Sequence, residues 1–267
     1  MRAWCTGLAL CVLISLLASP AAWAQTAAPQ PGVVVMHGKG GSPNRHVKGL
    51  AVALQDQGFL VANLEMPWSG ERDYDASLAG AEAEVDAAIA RLRALGAQRI
   101  VVAGHSQGGM FALYYASRRG VDGVVALAPG GDPGSATPRE KLAATVALAR
   151  GLVASGHGDQ KTELMDYEGA KGTYAIHTTP HIYLSWFDPD SDYSLQRVAR
   201  RLPATLPVLY VAPTQDYPAL VRANRSILAA LPRDTKTELY EPNTTHLGAP
   251  GASIAKVVAW IRSAVMA

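Results

Sequence analysis

Residues 103–109, Ala-Gly-His-Ser-Gln-Gly-Gly, set a hydroxyl nucleophile, Ser106, among residues of almost no bulk. A serine attacks a carbonyl only when a base takes its proton and donors receive the charge that develops on the carbonyl oxygen. Two further residues have the right type and setting. His246 ends the turn Pro242-Asn243-Thr244-Thr245-His246, which follows the last expected strand, and Asp216 ends the turn Pro213-Thr214-Gln215-Asp216, directly after an apolar strand-like run. A second carboxylate, Asp132, is the alternative acid. It lies among Gly130, Gly131, Pro133 and Gly134, a composition that suits a flexible loop better than rigid support for an imidazole. His105 is read as a packing or hydrogen-bonding neighbour of the serine.

Such groups act together only if strand ends gather them. An apolar run predicts a strand at Gly32 to Met36 and a β-branched one at Arg99 to Ala103, and the segments between helices predict further strands at Phe59 to Leu64, Asp122 to Ala128, Pro207 to Ala212 and Lys236 to Glu241. Helical spacing of apolar residues predicts helices over 44–57, from Tyr74 to Leu95, after Ser106 through Ser117, from Ala219 to Leu231, and through Ile254 to Ile261. Strand-helix alternation gives a parallel sheet with right-handed crossovers. Ser106 then stands between a strand and a helix, where the helix opening at Gln107 offers its free N–H to an oxyanion.

The G-x-S-x-G corner, the glycine loop His37-Gly38-Lys39-Gly40-Gly41 and the order serine, acid, histidine make the chain resemble the α/β-hydrolase superfamily from about Pro31 to its C-terminus. The resemblance implies an α/β-hydrolase fold, a mainly parallel sheet of about six strands with helices on both faces. It implies a nucleophile at Ser106, a base at His246, an acid at Asp216, and an oxyanion hole made by the backbone N–H groups of Lys39 and Gln107. The reaction expected is hydrolysis of a small carboxylic ester through an acyl-enzyme, with no metal or organic cofactor. Peptidase or amidase, thioesterase and acyltransferase activity share the same tetrahedral chemistry and stay open, as does a non-catalytic binding protein on this scaffold.

Residues 134–204 depart from the rhythm and are expected to form a helical or irregular cap. Thr137-Pro138-Arg139-Glu140 reads as a capping box opening a helix that Gly156 ends, and a short helix is expected from Asp192 to Leu202. Between them Tyr167, Tyr174, Tyr183, Trp186, Phe187 and Tyr193 either line a pocket or glue the segment together. Glu65 and Trp68 stand at another strand end and either line the site or belong to an ordinary loop. Pro180 between His177 and His181 argues against a metal-binding helical pair. The Lys39 ammonium is either solvated or draws in an acidic substrate.

Residues 1–24 read as a secretory signal peptide, with Arg2, an apolar run from Leu8 to Ala18, and Ala22-Trp23-Ala24 before Gln25. The run is about half the ~20 residues a membrane span needs. Residues 25–31 read as a linker and 32–267 as one hydrolase domain, exported to the periplasm or medium and without stable membrane insertion. Both cysteines, Cys5 and Cys11, lie in the leader, so the mature chain would have no disulfide or thiol nucleophile. A formal charge of +2 without a basic run gives no reason to expect nucleic acid.

Overall fold

The computed structural model describes Met1, residues 30–231 and residues 236–266. The expected leader and linker, with both cysteines, lie outside the described residues apart from Met1, Gln30 and Pro31. Six strands form the sheet: β1 (Pro31–Met36), β2 (Leu60–Leu64), β3 (Arg99–His105), β4 (Gly123–Leu127), β7 (Val208–Val211) and β8 (Glu238–Tyr240). Their order is β2-β1-β3-β4-β7-β8 and every pairing is parallel. This is the sheet that strand-helix alternation demands.

A parallel strand covered on both faces must be apolar throughout, and β1 is buried at all its positions. Its side chains alternate between two cores. Val34 and Met36 join the core under α2 (Leu78–Ala94) and α3 (Gln107–Ala116), while Val33 and Val35 face α1 (Lys48–Asp56) and α9 (Ile254–Trp260). A short helix, α8 (Ala249–Ala252), precedes α9, and a π-helical turn at Ile261–Val265 follows it. Among the described residues no helix is long and apolar enough to cross a membrane.

Between β4 and β7 the chain leaves the sheet. The expected irregular stretch is an antiparallel hairpin, β5 (Thr162–Glu168) with β6 (Gly172–Thr178), followed by a helix α5 (Pro180–Phe187). Pro180 does not break a helix but begins one, at the position where its missing N–H costs nothing. Period-two burial in β5 is present, but its inward residues are Leu164 and Asp166, and the carboxylate hides the apolar alternation. The flanking helices are α4 (Ala136–Ala154) and α6 (Leu195–Arg201). No capping box forms at Thr137. The N-cap of α4 is Ser135, whose hydroxyl donates to the Asp132 carbonyl at 2.7 Å instead of capping the helix.

An isolated hairpin is marginal, so this one depends on packing. Thr178 Oγ1 donates to the Tyr74 carbonyl at 2.6 Å, Trp186 Nε1 to the Ala76 carbonyl at 2.8 Å, and Tyr183 Oη to the Met165 carbonyl at 2.7 Å. Trp186 meets Trp68, Tyr74, Phe111 and Tyr193 with ring centroids 5.5–5.8 Å apart. Trp186→Ala is therefore expected to cost about 3–5 kcal/mol, as loss of a buried tryptophan does. Urea denaturation should show this loss in one transition shared by cap and sheet. A separate low-urea transition for the cap would contradict it.

Candidate active site

Ser106 sits at φ 54°, ψ −117°, a conformation that a residue with a side chain rarely adopts. The chain is driven there by lack of space. A Cβ on Gly104 would stand 2.1 Å from the Gly108 carbonyl oxygen, and one on Gly108 would stand 2.5 Å from that of Met36. Only glycines allow β3 to turn into α3 this sharply beside the end of β1. Ser106 is the N-cap of α3 and Gln107 its first residue, so the Gln107 N–H has no intrahelical partner.

The loop after β1 faces this corner. His37 Nε2 accepts from the Met66 N–H at 3.0 Å, so Nδ1 carries the proton and donates to the Gly38 carbonyl at 2.8 Å. The Gly41 N–H binds the same carbonyl at 3.0 Å. The Gly38 C=O and the Lys39 N–H belong to one planar trans unit, so holding the first on one side turns the second to the other. The Gly40 N–H is engaged by the Trp68 carbonyl at 2.8 Å, and Trp68 Nε1 holds the His37 carbonyl at 2.8 Å. Trp68 is thus a buried brace for the loop and not a wall of the site. Glu65 offers its carbonyl to Arg72 Nη1 at 2.8 Å.

Asp216 and His246 meet because β7 and β8 continue their pairing past the strand ends. Val211 pairs with Tyr240, and beyond them the Thr214 N–H binds the Pro242 carbonyl and Gln215 bridges Thr245. One step further, His246 Nδ1 donates to Asp216 Oδ1 at 2.7 Å, and both residues are buried. The other face of Asp132 chemistry is different. Asp132 Oδ1 accepts from the Gly134 N–H at 2.8 Å, and burial raises the pKa of its carboxyl. The structure therefore brings Asp216, not Asp132, to His246.

His246 is held between two rings, Tyr217 at 4.7 Å and His105 at 5.0 Å between centroids. His105 also donates from Nε2 to the His246 carbonyl at 2.9 Å, which leaves its buried Nδ1 as an unpartnered acceptor. A proton there would have no acceptor, and burial, reinforced by the neighbouring His246, pushes the His105 pKa down to about 3.

Ser106, His105, Gln107, Lys39, Asp132 and His246 line one cavity of about 650 Å³. Ser106 and His246 make no hydrogen bond with each other. Pro138 of α4, Leu195 of α6, and Leu220, Ala223 and Ile227 of α7 (Pro218–Ala230) supply apolar lining. Of the six insertion aromatics, Tyr167 alone lines this cavity. Tyr183, Trp186, Phe187 and Tyr193 are core. The Lys39 ammonium is not free, since it donates to Asp166 Oδ1 at 2.6 Å and the Tyr167 carbonyl at 3.1 Å. His177 and His181 stand on different elements with different carboxylates, Glu163 and Asp159.

A family described as alpha/beta hydrolase fold matches residues 31–153. No curated protein sequence matches the chain. Among solved structures, a monoacylglycerol lipase from Paleococcus ferrophilus is 21% identical, with TM-score 0.59, over 88% of this chain and 96% of that one. Est1E from Butyrivibrio proteoclasticus, bound to ferulic acid, is 17% identical, with TM-score 0.62, over 91% and 93%. A carboxyl esterase from Bacillus coagulans in complex with glycerol is 16% identical, with TM-score 0.61, over 90% and 92%.

His105 yields a prediction about stability. Above its ordinary pKa of 6.5 neither the folded nor the unfolded chain protonates it, and its contribution is complete. Between 6.5 and about 3 the unfolded chain takes up a proton that the folded chain refuses, so stability falls as pH falls. Lowering pH from 7 to 4.5 should cost about 2–3 kcal/mol through this residue. Urea titrations of His105→Gln at both pH values should show a shallower loss than the parent. Equal losses would refute the assignment.

Proposed function

We propose that this chain, whose fold is that of the α/β-hydrolases, is an exported serine hydrolase that cleaves a carboxylic ester. The observation that carries the reading is the strained Ser106 corner sharing one cavity with a buried His246–Asp216 pair. The lipase and esterases to which the chain is similar in fold support an ester as substrate. The apolar lining from α4, α6 and α7 would receive the hydrocarbon part of the acyl or alcohol half.

In the first half-reaction neutral His246 Nε2 takes the Ser106 proton as Oγ bonds to the carbonyl carbon. The carbonyl π electrons move to oxygen, and the Lys39 and Gln107 N–H groups bind that oxyanion. The tetrahedral intermediate collapses when His246 returns the proton to the leaving alkoxide, which departs as an alcohol. Water repeats the sequence on the acyl-enzyme and releases the acid. Asp216 keeps the His246 Nδ1–H pointed inward and stabilises the imidazolium.

A fluorophosphonate label should attach once per chain at Ser106 and vanish in folded Ser106→Ala, while p-nitrophenyl esters of graded acyl length should turn over faster than matched amides. Labelling that survives the substitution sinks the reading. Asp216→Asn should lower kcat by about 10⁴, as loss of the acid does in serine proteases, and Asp132→Asn by less than about tenfold. The reverse ranking would move the acid to Asp132. Export makes a separate prediction, that mature protein begins at Gln25. N-terminal sequencing that still finds Cys11 would overturn it.

A further inference from the structure

We infer that Asp166, on the cap hairpin, is the positioning residue of the oxyanion hole, holding the side chains of both residues whose backbone N–H groups would bind the oxyanion. The inference rests on the reading of Lys39 and Gln107 as those donors. Asp166 is wholly buried. Its Oδ1 accepts from Lys39 Nζ at 2.6 Å and from the Tyr167 N–H at 2.6 Å, and its Oδ2 accepts from Tyr174 Oη at 2.8 Å. Tyr74 Oη lies 3.3 Å from Asp166 Oδ2 and 3.1 Å from Gln107 Oε1, sharing its single proton between them. One carboxylate thus reaches Lys39 directly and Gln107 through one hydroxyl.

Stability alone does not explain this arrangement. Burying a carboxylate and an ammonium costs several kcal/mol before their attraction is counted, and apolar pairs of similar volume commonly hold a structure as well. What a charged, multiply bonded carboxylate adds is direction. Lys39 lies between Gly38 and Gly40, the latter at φ +60°, so its own torsions are steered by no bulky neighbour, while the Gly38 carbonyl and the Gly40 N–H are held by hydrogen bonds. Its side chain is a further handle on that segment, and the cap holds it.

The segment before α2 is shaped to the same end. Asp73 and Tyr74 both sit at positive φ, 47° and 58°. This strained pair is fastened to β6, where the His177 N–H binds Asp73 Oδ2 at 2.8 Å and Thr178 Oγ1 binds the Tyr74 carbonyl. Strain of about 1–3 kcal/mol per residue persists only where surroundings impose it. Here it sets the Tyr74 hydroxyl between Asp166 and Gln107. The hairpin is therefore part of the catalytic frame as well as a cover.

The test compares Asp166→Asn, Lys39→Met and their combination in the full mature chain, with kcat expressed per active site titrated by a fluorophosphonate. Each single variant should lower kcat by about 10- to 100-fold, somewhat less than removal of an oxyanion donor, with KM changed by less than about threefold. Affinity for a trifluoromethyl ketone should fall by the same factor as kcat/KM, since it reports the oxyanion. The combined variant should be no slower than Asp166→Asn alone, because the Lys39 side chain acts through Asp166, whose change already weakens the hold on both donors. A purely structural role would lower Tm and the titrated fraction while kcat per site stays within twofold, which overturns the inference, as would losses that multiply. Should D166N not fold, K39M removes the same contact from its partly exposed end and decides alone. Failure of the underlying reading would look different, as labelling or turnover that persists in Ser106→Ala.

Discussion

The backbone of α3 leaves no room for a side chain where it passes the end of β1. A methyl group on Gly108 would meet the carbonyl oxygens of Met36 and His37 at 2.5 and 2.6 Å. This close approach joins the two halves of the proposed oxyanion hole, since Gln107 sits next to Gly108 and Lys39 follows His37 and Gly38 directly. It also forces Ser106 into its positive-φ conformation, because the corner from β3 to α3 has no roomier path. The Ser106 corner is consequently set by one rigid contact between two backbones.

Asp216 and His246, the proposed acid and base, are placed by a different device, the parallel register of β7 and β8. Val211 opposite Tyr240 is an offset of 29 residues, and the bridge of Gln215 to Thr245 is an offset of 30. One extra residue on the β8 side therefore enters the loop, and His246 arrives opposite Asp216 with the ladder still holding both turns. His105 closes the circuit from the nucleophile side. Its Nε2–H grips the His246 carbonyl, so the residue next to Ser106 fixes the backbone of the residue that would take the Ser106 proton. Burial keeps that clamp neutral.

The cap departs from a simple lid in where its polar groups go. Its large rings are spent on the core, around Trp68 and Phe111, and only Tyr167 among them faces the cavity. Its buried carboxylate, Asp166, instead reaches Lys39 and Tyr74, and the bonds from β6 to Asp73 and Tyr74 fasten the cap to the segment before α2. A surface built this way is held against the sheet by directional bonds and by tightly interlocked rings at once.

Local sequence determined the inner strands of the sheet, because a strand buried on both faces needs an unbroken apolar run, and determined the elbow, because glycines at 104, 108 and 109 around one serine satisfy a steric demand within a few residues. It also singled out Asp216 and His246, each in the turn that follows a strand. The hairpin stayed hidden because Asp166 occupies an inward position of β5, and a carboxylate there breaks the period-two signal that marks a strand. Its bond to Lys39 spans 127 residues and that of His105 to the His246 carbonyl spans 141, so no local pattern carries either. Only the folded chain decided that Trp68 braces a loop, that the Lys39 ammonium is spent on Asp166, and that the Asp216 carboxylate rather than that of Asp132 meets His246. Each depends on which strand ends come together, and that is a property of the sheet as a whole and of no segment in it.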